Sequence, residues 1–154
     1  MDLLLWRHAH ARDAEPGESD MDRPLTAKGE RQAEKMARWL CRNLPQDTLI
    51  LCSPALRTVQ TVESFTQSYQ LCDQIKPESS AAALVAVSQW PHSPSAVLIV
   101  SHQPLLSEAV SQLLGFPSGL TLPFRKGSIW WLRSLFSTSN NPAQLLTVQD
   151  CEVL

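Results

Sequence analysis

The sequence has no Cys-x-x-Cys pair and no histidine at metal-ligand spacing from a cysteine. Its four cysteines, Cys41, Cys52, Cys72 and Cys151, are scattered along the chain. That spacing excludes a zinc ribbon and a dense disulfide framework, and it reads as reduced, mostly buried thiols in a reducing compartment. There is no excess of positive charge: 13 Lys and Arg stand against 15 Asp and Glu, for a net charge of -2. A basic patch of the kind that holds nucleic acid is therefore not expected. There is no long apolar run either. Leu3, Leu4, Leu5 and Trp6 are followed at once by Arg7, too few residues for a signal peptide or a membrane span. The expected location is the cytoplasm. No internal repeat, low-complexity tract or long linker interrupts the chain, so its 154 residues are expected to form one domain, 1–154. Apolar residues make up 44% and charged residues 18%, the balance of a globular protein with a real core.

Residues 2–7, 48–52 and 96–101 are short, almost continuous apolar runs, the pattern of strands covered on both faces. A further strand is expected in Ile75-Lys76-Pro77-Glu78. Between the strands the apolar period changes to that of helices. Thr26 is placed to cap a helix to about residue 43, with Ala33, Met36, Ala37, Leu40 and Leu44 inward. Ser53-Pro54 reads as a cap residue followed by proline at the first helical position, with Val59, Val62, Phe65 and Tyr69 inward. Further helices are expected over residues 80–90 and 104–114, the second closed by Gly115. Residues 128–136 and 143–149 read as two late strands joined by the Ser-Thr-Ser-Asn-Asn-Pro turn, and they form an antiparallel edge. The alternation predicts an α/β fold: a mainly parallel sheet wrapped by helices.

Ligands of open α/β sheets bind beyond the carboxyl ends of the strands. The first strand ends in Arg7-His8, the second in Ser53-Pro54 with Arg57 one turn later, and the fourth in Ser101-His102. Two arginines and two histidines are thus expected on one rim. That set suits phosphoryl transfer. Arginine offers a planar fork to phosphate oxygens, and its charge stabilises negative charge on the equatorial oxygens. A neutral imidazole is a nucleophile towards phosphorus. A second imidazole, protonated, can hold a phosphate oxygen. Helices starting near Pro54 and Pro104 also aim their N-termini at this rim.

The segments Leu5-Trp6-Arg7-His8-Ala9, Asp22-Arg23-Pro24-Leu25-Thr26 with Gly29, Ser53-Pro54-Ala55-Leu56-Arg57-Thr58-Val59-Gln60-Thr61 and Val100-Ser101-His102-Gln103-Pro104 occur in this order over most of the chain. In them the chain resembles the histidine phosphatase superfamily, in its short phosphohistidine phosphatase (SixA-type) branch. The resemblance implies a three-layer α/β/α sandwich of the phosphoglycerate mutase type. It implies His8 as nucleophile, Arg7 and Arg57 as phosphate clamp, His102 as the second, electrostatic histidine, and no metal or other cofactor. The broad family has glycine after the nucleophile; this chain has Ala9, which the short branch commonly tolerates.

Two carboxylates are candidate proton donors: Glu78, after the expected third strand, and Asp22, in the acidic connection that also holds Asp13, Glu15, Glu18 and Asp20. A phosphoramidate can leave as neutral imidazole once its ring is protonated, and so tolerates a poorly placed acid better than an alkoxide does. The chain has little room for an inserted helical lid, which leaves a shallow pocket. Both points favour a phosphohistidine-bearing protein, such as a phosphotransfer signalling domain, as the substrate partner. A charged loop at the mouth would add to this by repelling small, multiply charged phosphates. The competing readings are a phosphatase of small phosphate esters or a mutase, and a non-catalytic module that binds phosphorylated groups. His10, Arg12 and His92 read as solvent-facing, and Trp130 and Trp131 as packing residues on opposite faces of a strand.

Overall fold

The apolar run that opens the chain becomes β1, Asp2–Arg7, near the middle of a six-stranded sheet. The computed structural model describes residues 1–117, 119–134 and 143–154. In chain order β1 is followed by α1 (Ala27–Asn43), β2 (Leu49–Cys52), α2 (Leu56–Glu63), β3 (Gln70–Leu71), α3 (Ala81–Val87), β4 (Val97–Ser101), α4 (Leu105–Leu114), β5 (Ile129–Arg133) and β6 (Gln144–Gln149). The sheet order is β3-β2-β4-β1-β5-β6. The β3-β2-β4-β1 half is parallel, and β5 and β6 add to it antiparallel.

Alternation along the central strands sorts the core into two layers. Leu3, Leu5, Val97 and Ile99 pack against Leu84 of α3 and Leu105, Leu106, Ala109 and Val110 of α4. Leu4, Trp6, Leu98 and Val100 pack on the other face, against Met36 and Leu40 of α1 and Val62 of α2. This is the expected three-layer α/β/α sandwich. Trp130 and Trp131 take opposite faces as expected. Trp130 stacks on Phe124 with centroids 4.7 Å apart, and Trp131 meets Trp39 edge-on at 6.2 Å.

Thr26 does cap α1, accepting from the Gly29 amide. Gly29 is required by proximity, because a Cβ there would collide with the His10 carbonyl. α4 begins one residue after Pro104 and ends at Gly115 in the left-handed conformation, φ 71°. Three expectations are corrected. The third strand is Gln70–Leu71, and Ile75 lies instead in a 3₁₀ turn, Asp73–Ile75, so Glu78 does not close a strand. The lone apolar side chain of that stretch, Ile75, is buried from the turn, and Pro77 offers no ladder donor. α2 starts at Leu56 with Ala55 in the cap position, because the Ser53 side chain is engaged elsewhere; Phe65 and Tyr69 lie beyond its end while still packing on the core. α3 is shorter than expected, since its C-cap is Ser88 and Gln89 has a positive φ of 54°. The end of the expected strand over 128–136 and the turn after it lie outside the described residues.

Candidate active site

The four residues expected on one rim are held there by the ends of the parallel strands. The His8 amide donates to the Ser101 carbonyl at 3.1 Å, which locks the end of β1 to the end of β4. The Arg7 amide donates to the Ser128 carbonyl, and the Gly127 amide reaches the Arg7 and His8 carbonyls, so the segment before β5 closes the other side. The His8 and His102 rings stand 5.3 Å apart, tilted by 54°. Both side chains are almost fully buried, as is Arg57 at 3% exposure.

His8 Nδ1 lies 2.7 Å from the Ala9 carbonyl. A carbonyl only accepts, so Nδ1 carries the proton and Nε2 keeps its lone pair. Burial, with Arg57, Arg7 and Lys126 nearby, pushes the His8 pKa down to about 3 against the favourable Ala9 bond. The imidazole is therefore neutral at neutral pH, the state a nucleophile needs. Ala9 fits without strain: it is fully buried beside Ala11, Leu25 and Ala33, and its amide donates to Thr61 Oγ1. Thr61 in turn donates to the Arg57 carbonyl, while Thr58 donates to the Ser53 and Ala55 carbonyls. The two threonines of the Ser-Pro-Ala-Leu-Arg-Thr-Val-Gln-Thr segment thus brace the turn that presents Arg57.

Burial and the neighbouring His8 and Arg57 push the His102 pKa down to about 2. The second histidine is thus neutral in the free protein, where a protonated ring is the sequence-based expectation; its desolvated setting between other donors is the reason. Its Nε2 lies 2.8 Å from Ser53 Oγ.

Arg57 uses both terminal nitrogens on Asp20, 2.6 Å to the carbonyl and 2.9 Å to the carboxylate. Arg23 Nε takes the other carboxylate oxygen at 2.8 Å. Burial alone would raise the Asp20 carboxyl, but Arg57 and Arg23 outweigh it and hold it below the usual range. Arg7 donates through Nη1 to the Phe124 carbonyl. Even so, the rim is short of acceptors. Among the described residues, five buried side-chain nitrogens lack a partner, and three of them are Arg7 Nε, Arg57 Nε and His102 Nδ1. Unmet buried polar atoms are costly, and two unpaired guanidinium N–H groups in the same cluster as the two imidazoles suit an oxyanion.

The candidate acids are less closely held. Glu78 and Asp22 are both exposed, and neither side chain hydrogen-bonds to any of the four rim residues. The loop carrying Glu78 is tied to the rim, since Ser101 Oγ donates to the Ile75 carbonyl. The first connection is not a free ring of negative charge as its composition suggests. Glu18 is paired with Arg12 at 2.7 Å, and Asp20 with Arg57 and Arg23. Arg12 is thereby engaged, His10 Nδ1 bonds Thr26 Oγ1, and His92 is exposed. Asp20 and Ser53 are the contacts that sequence reasoning missed. Asp20 is hidden among five loop carboxylates, and Ser53 reads as a helix cap.

The cysteines are unpaired; Cys41 is exposed and the other three are buried, with burial raising the Cys52 and Cys151 thiols to about 12 and about 11. Among the described residues no three His, Cys, Asp or Glu side chains gather as a metal-ligand set. Nor, among the described residues, is any helix long and apolar enough to cross a membrane.

The family model of the histidine phosphatase superfamily, branch 1, matches residues 3–80. An uncharacterized protein of a Picosynechococcus strain is 34% identical over 141 residues, 87% of this chain and 86% of that protein. Phosphohistidine phosphatase SixA of Escherichia coli is 30% identical over 121 residues, 73% of this chain and 74% of that one. A solved structure of the protein histidine phosphatase SixA complexed with tungstate superposes with a TM-score of 0.78 at 26% identity, covering 99% of both chains.

Proposed function

The chain belongs to the histidine phosphatase superfamily, in its SixA-type branch, and on that premise we propose that it hydrolyses phosphohistidine on a partner protein through a covalent phosphohistidine at His8. The observation that carries this reading is the cluster of unmet buried nitrogens, Arg7 Nε, Arg57 Nε and His102 Nδ1, beside a neutral imidazole with a free Nε2. In the first step the Nε2 lone pair attacks phosphorus, the new N–P bond forms, and the N–P bond of the substrate breaks. The substrate ring reacts in the form protonated on its other nitrogen, keeps that proton as the N–P electron pair returns to it, and departs as neutral imidazole. Arg7, Arg57 and His102 hold the equatorial oxygens as charge builds on them. In the second step water attacks the phosphoryl group on His8, releasing inorganic phosphate and restoring the free Nε2. No metal takes part in either step.

The partner protein is a phosphohistidine-bearing one, by the match to a phosphohistidine phosphatase and by the leaving-group argument, since the two candidate acids Glu78 and Asp22 are exposed. One observation favours a second reading, a phosphatase of small phosphate esters: pairing of Glu18 and Asp20 removes part of the charge that would repel such substrates. The experiment is a release assay comparing a phosphohistidine protein with aryl and sugar phosphates. A higher kcat/KM on the phosphohistidine protein is expected, with Glu78→Gln and Asp22→Asn each slowing the alkyl ester more. A faster sugar phosphate, with neither variant separating the substrates, overturns the protein-substrate reading.

A further inference from the structure

We propose that Ser53 is a positioning residue: its hydroxyl donates to His102 Nε2 and fixes the ring as the Nδ1–H tautomer, so that Nδ1–H is the donor offered to the phosphoryl group. The inference rests on the reading of His102 as a phosphate-holding residue. Ser53 is itself rigidly placed. Its amide donates to the Val100 carbonyl of β4 at 3.0 Å, and its carbonyl accepts the Thr58 hydroxyl at 2.8 Å. Its side chain is fully buried, and His102 Nε2 at 2.8 Å is the one hydrogen-bond partner of its Oγ among the described residues.

The direction of that bond follows from counting unmet groups. If Nε2 carried the proton, the Ser53 hydroxyl would accept, its own hydrogen would have no acceptor, and the bare Nδ1 lone pair would also be buried without a partner. If the hydroxyl donates instead, both it and Nε2 are satisfied, and one group stays unmet: the Nδ1–H. The second arrangement leaves one orphan instead of two, and each buried orphan is costly. It also leaves a donor, where the first would present a lone pair to an anion. Ser53 thereby makes a neutral ring serve as a phosphate donor, and the positive charge of the site is left to Arg7 and Arg57.

The test is nitrogen NMR of the histidine rings in wild type and in Ser53→Ala and Ser53→Cys, with inorganic phosphate as the probe. In the wild type His102 Nδ1 is expected to give a protonated signal, Nε2 an acceptor signal, and phosphate to shift Nδ1. In Ser53→Ala the two tautomers are expected to mix, and phosphate affinity to fall about tenfold, the loss of roughly one well-placed hydrogen bond. Ser53→Cys, which keeps a weak donor, is expected to fall between. Unchanged His10 and His92 signals would certify the fold of each variant. A wild-type ring protonated at Nε2 overturns the proposal, and that reading stands even if Ser53→Ala does not fold. If His102→Ala loses phosphate affinity and a folded Ser53→Ala does not, the inference fails alone. If phosphate moves neither ring nitrogen and His102→Ala binds it as wild type does, the reading of the site fails as well.

Discussion

In the parallel half of the sheet, the strand ends carry the candidate catalytic side chains: β1 ends at Arg7 and is followed by His8, β2 is followed by Ser53, and β4 by His102. In the antiparallel half, the approach to β5 touches the same rim with backbone groups, the Phe124 carbonyl on Arg7 Nη1 and the Gly127 amide on the Arg7 and His8 carbonyls. Both halves bury apolar side chains, and the first also buries the rim. The first holds two neutral histidines and an arginine at a cost in desolvation. The second buries Leu132, Trp130 and Ile129 against β1, α1 and α4. On the proposed function, turnover depends on the rim side chains and stability on the apolar layers, so mutations should separate them.

The largest separation is expected from His8→Ala. Turnover should drop to background in a steady-state phosphate-release assay, while the thermal transition stays near that of the wild type, since the side chain sits at a strand end outside the apolar layers. In the other half Leu132→Ala should do the opposite. The side chain is fully buried and pairs across to Leu3, so truncation should cost about 2–5 kcal/mol in denaturant unfolding. Its kcat, measured well below the new midpoint, should be unchanged. A fall in kcat there would mean that the halves are coupled.

Arg57→Lys sharpens the comparison within the site. It keeps the charge but loses the fork that spans Asp20 and leaves Nε free. A loss of about 2–4 kcal/mol in transition-state stabilisation is expected from kcat/KM, as for removal of one preorganised donor. Near-wild-type kinetics would make Arg57 a bystander.

The effect on stability of the two buried histidines is smaller and depends on pH. Their pKa values are depressed from 6.5 in the folded chain, chiefly by burial. Above pH 6.5 both states are neutral and nothing changes. Below it the unfolded chain takes up protons that the folded one refuses, so stability falls as the pH is lowered. The slope is at most about 1.4 kcal/mol per pH unit for each histidine. Unfolding midpoints from pH 7 to pH 5 should decline, and the decline should be shallower in a His8→Gln, His102→Gln double variant. Equal slopes would contradict the burial of neutral rings. The smallest effect is expected of a chelator: excess EDTA should leave turnover as it is, and loss restored by one metal would overturn the mechanism.

Much of this division was legible in the sequence. The continuous apolar runs gave β1, β2 and β4, because strands covered on both faces need no alternation. Their last residues then pointed to Arg7, His8, Arg57 and His102. The failures have a common cause in local signals overridden by longer-range contacts. Ser53-Pro54 has the form of a helix start, yet the Ser53 hydroxyl is taken by His102, 49 residues away. The strand expected at Ile75 became a turn, because one buried residue there is enough and β3 forms earlier, at Gln70–Leu71. Composition showed an acidic first connection, but it does not say which carboxylate reaches an arginine. Asp20 does so across 37 residues.

The central claim is that the phosphoryl group passes through His8, and rapid quench after brief incubation with labelled substrate tests it most directly. An acid-labile, alkali-stable label that mass spectrometry places on His8, and that His8→Ala abolishes, is the predicted result. A label on His102, on a serine or on one of the four cysteines, or turnover with no labelled intermediate on His8 at any time point, would contradict the account.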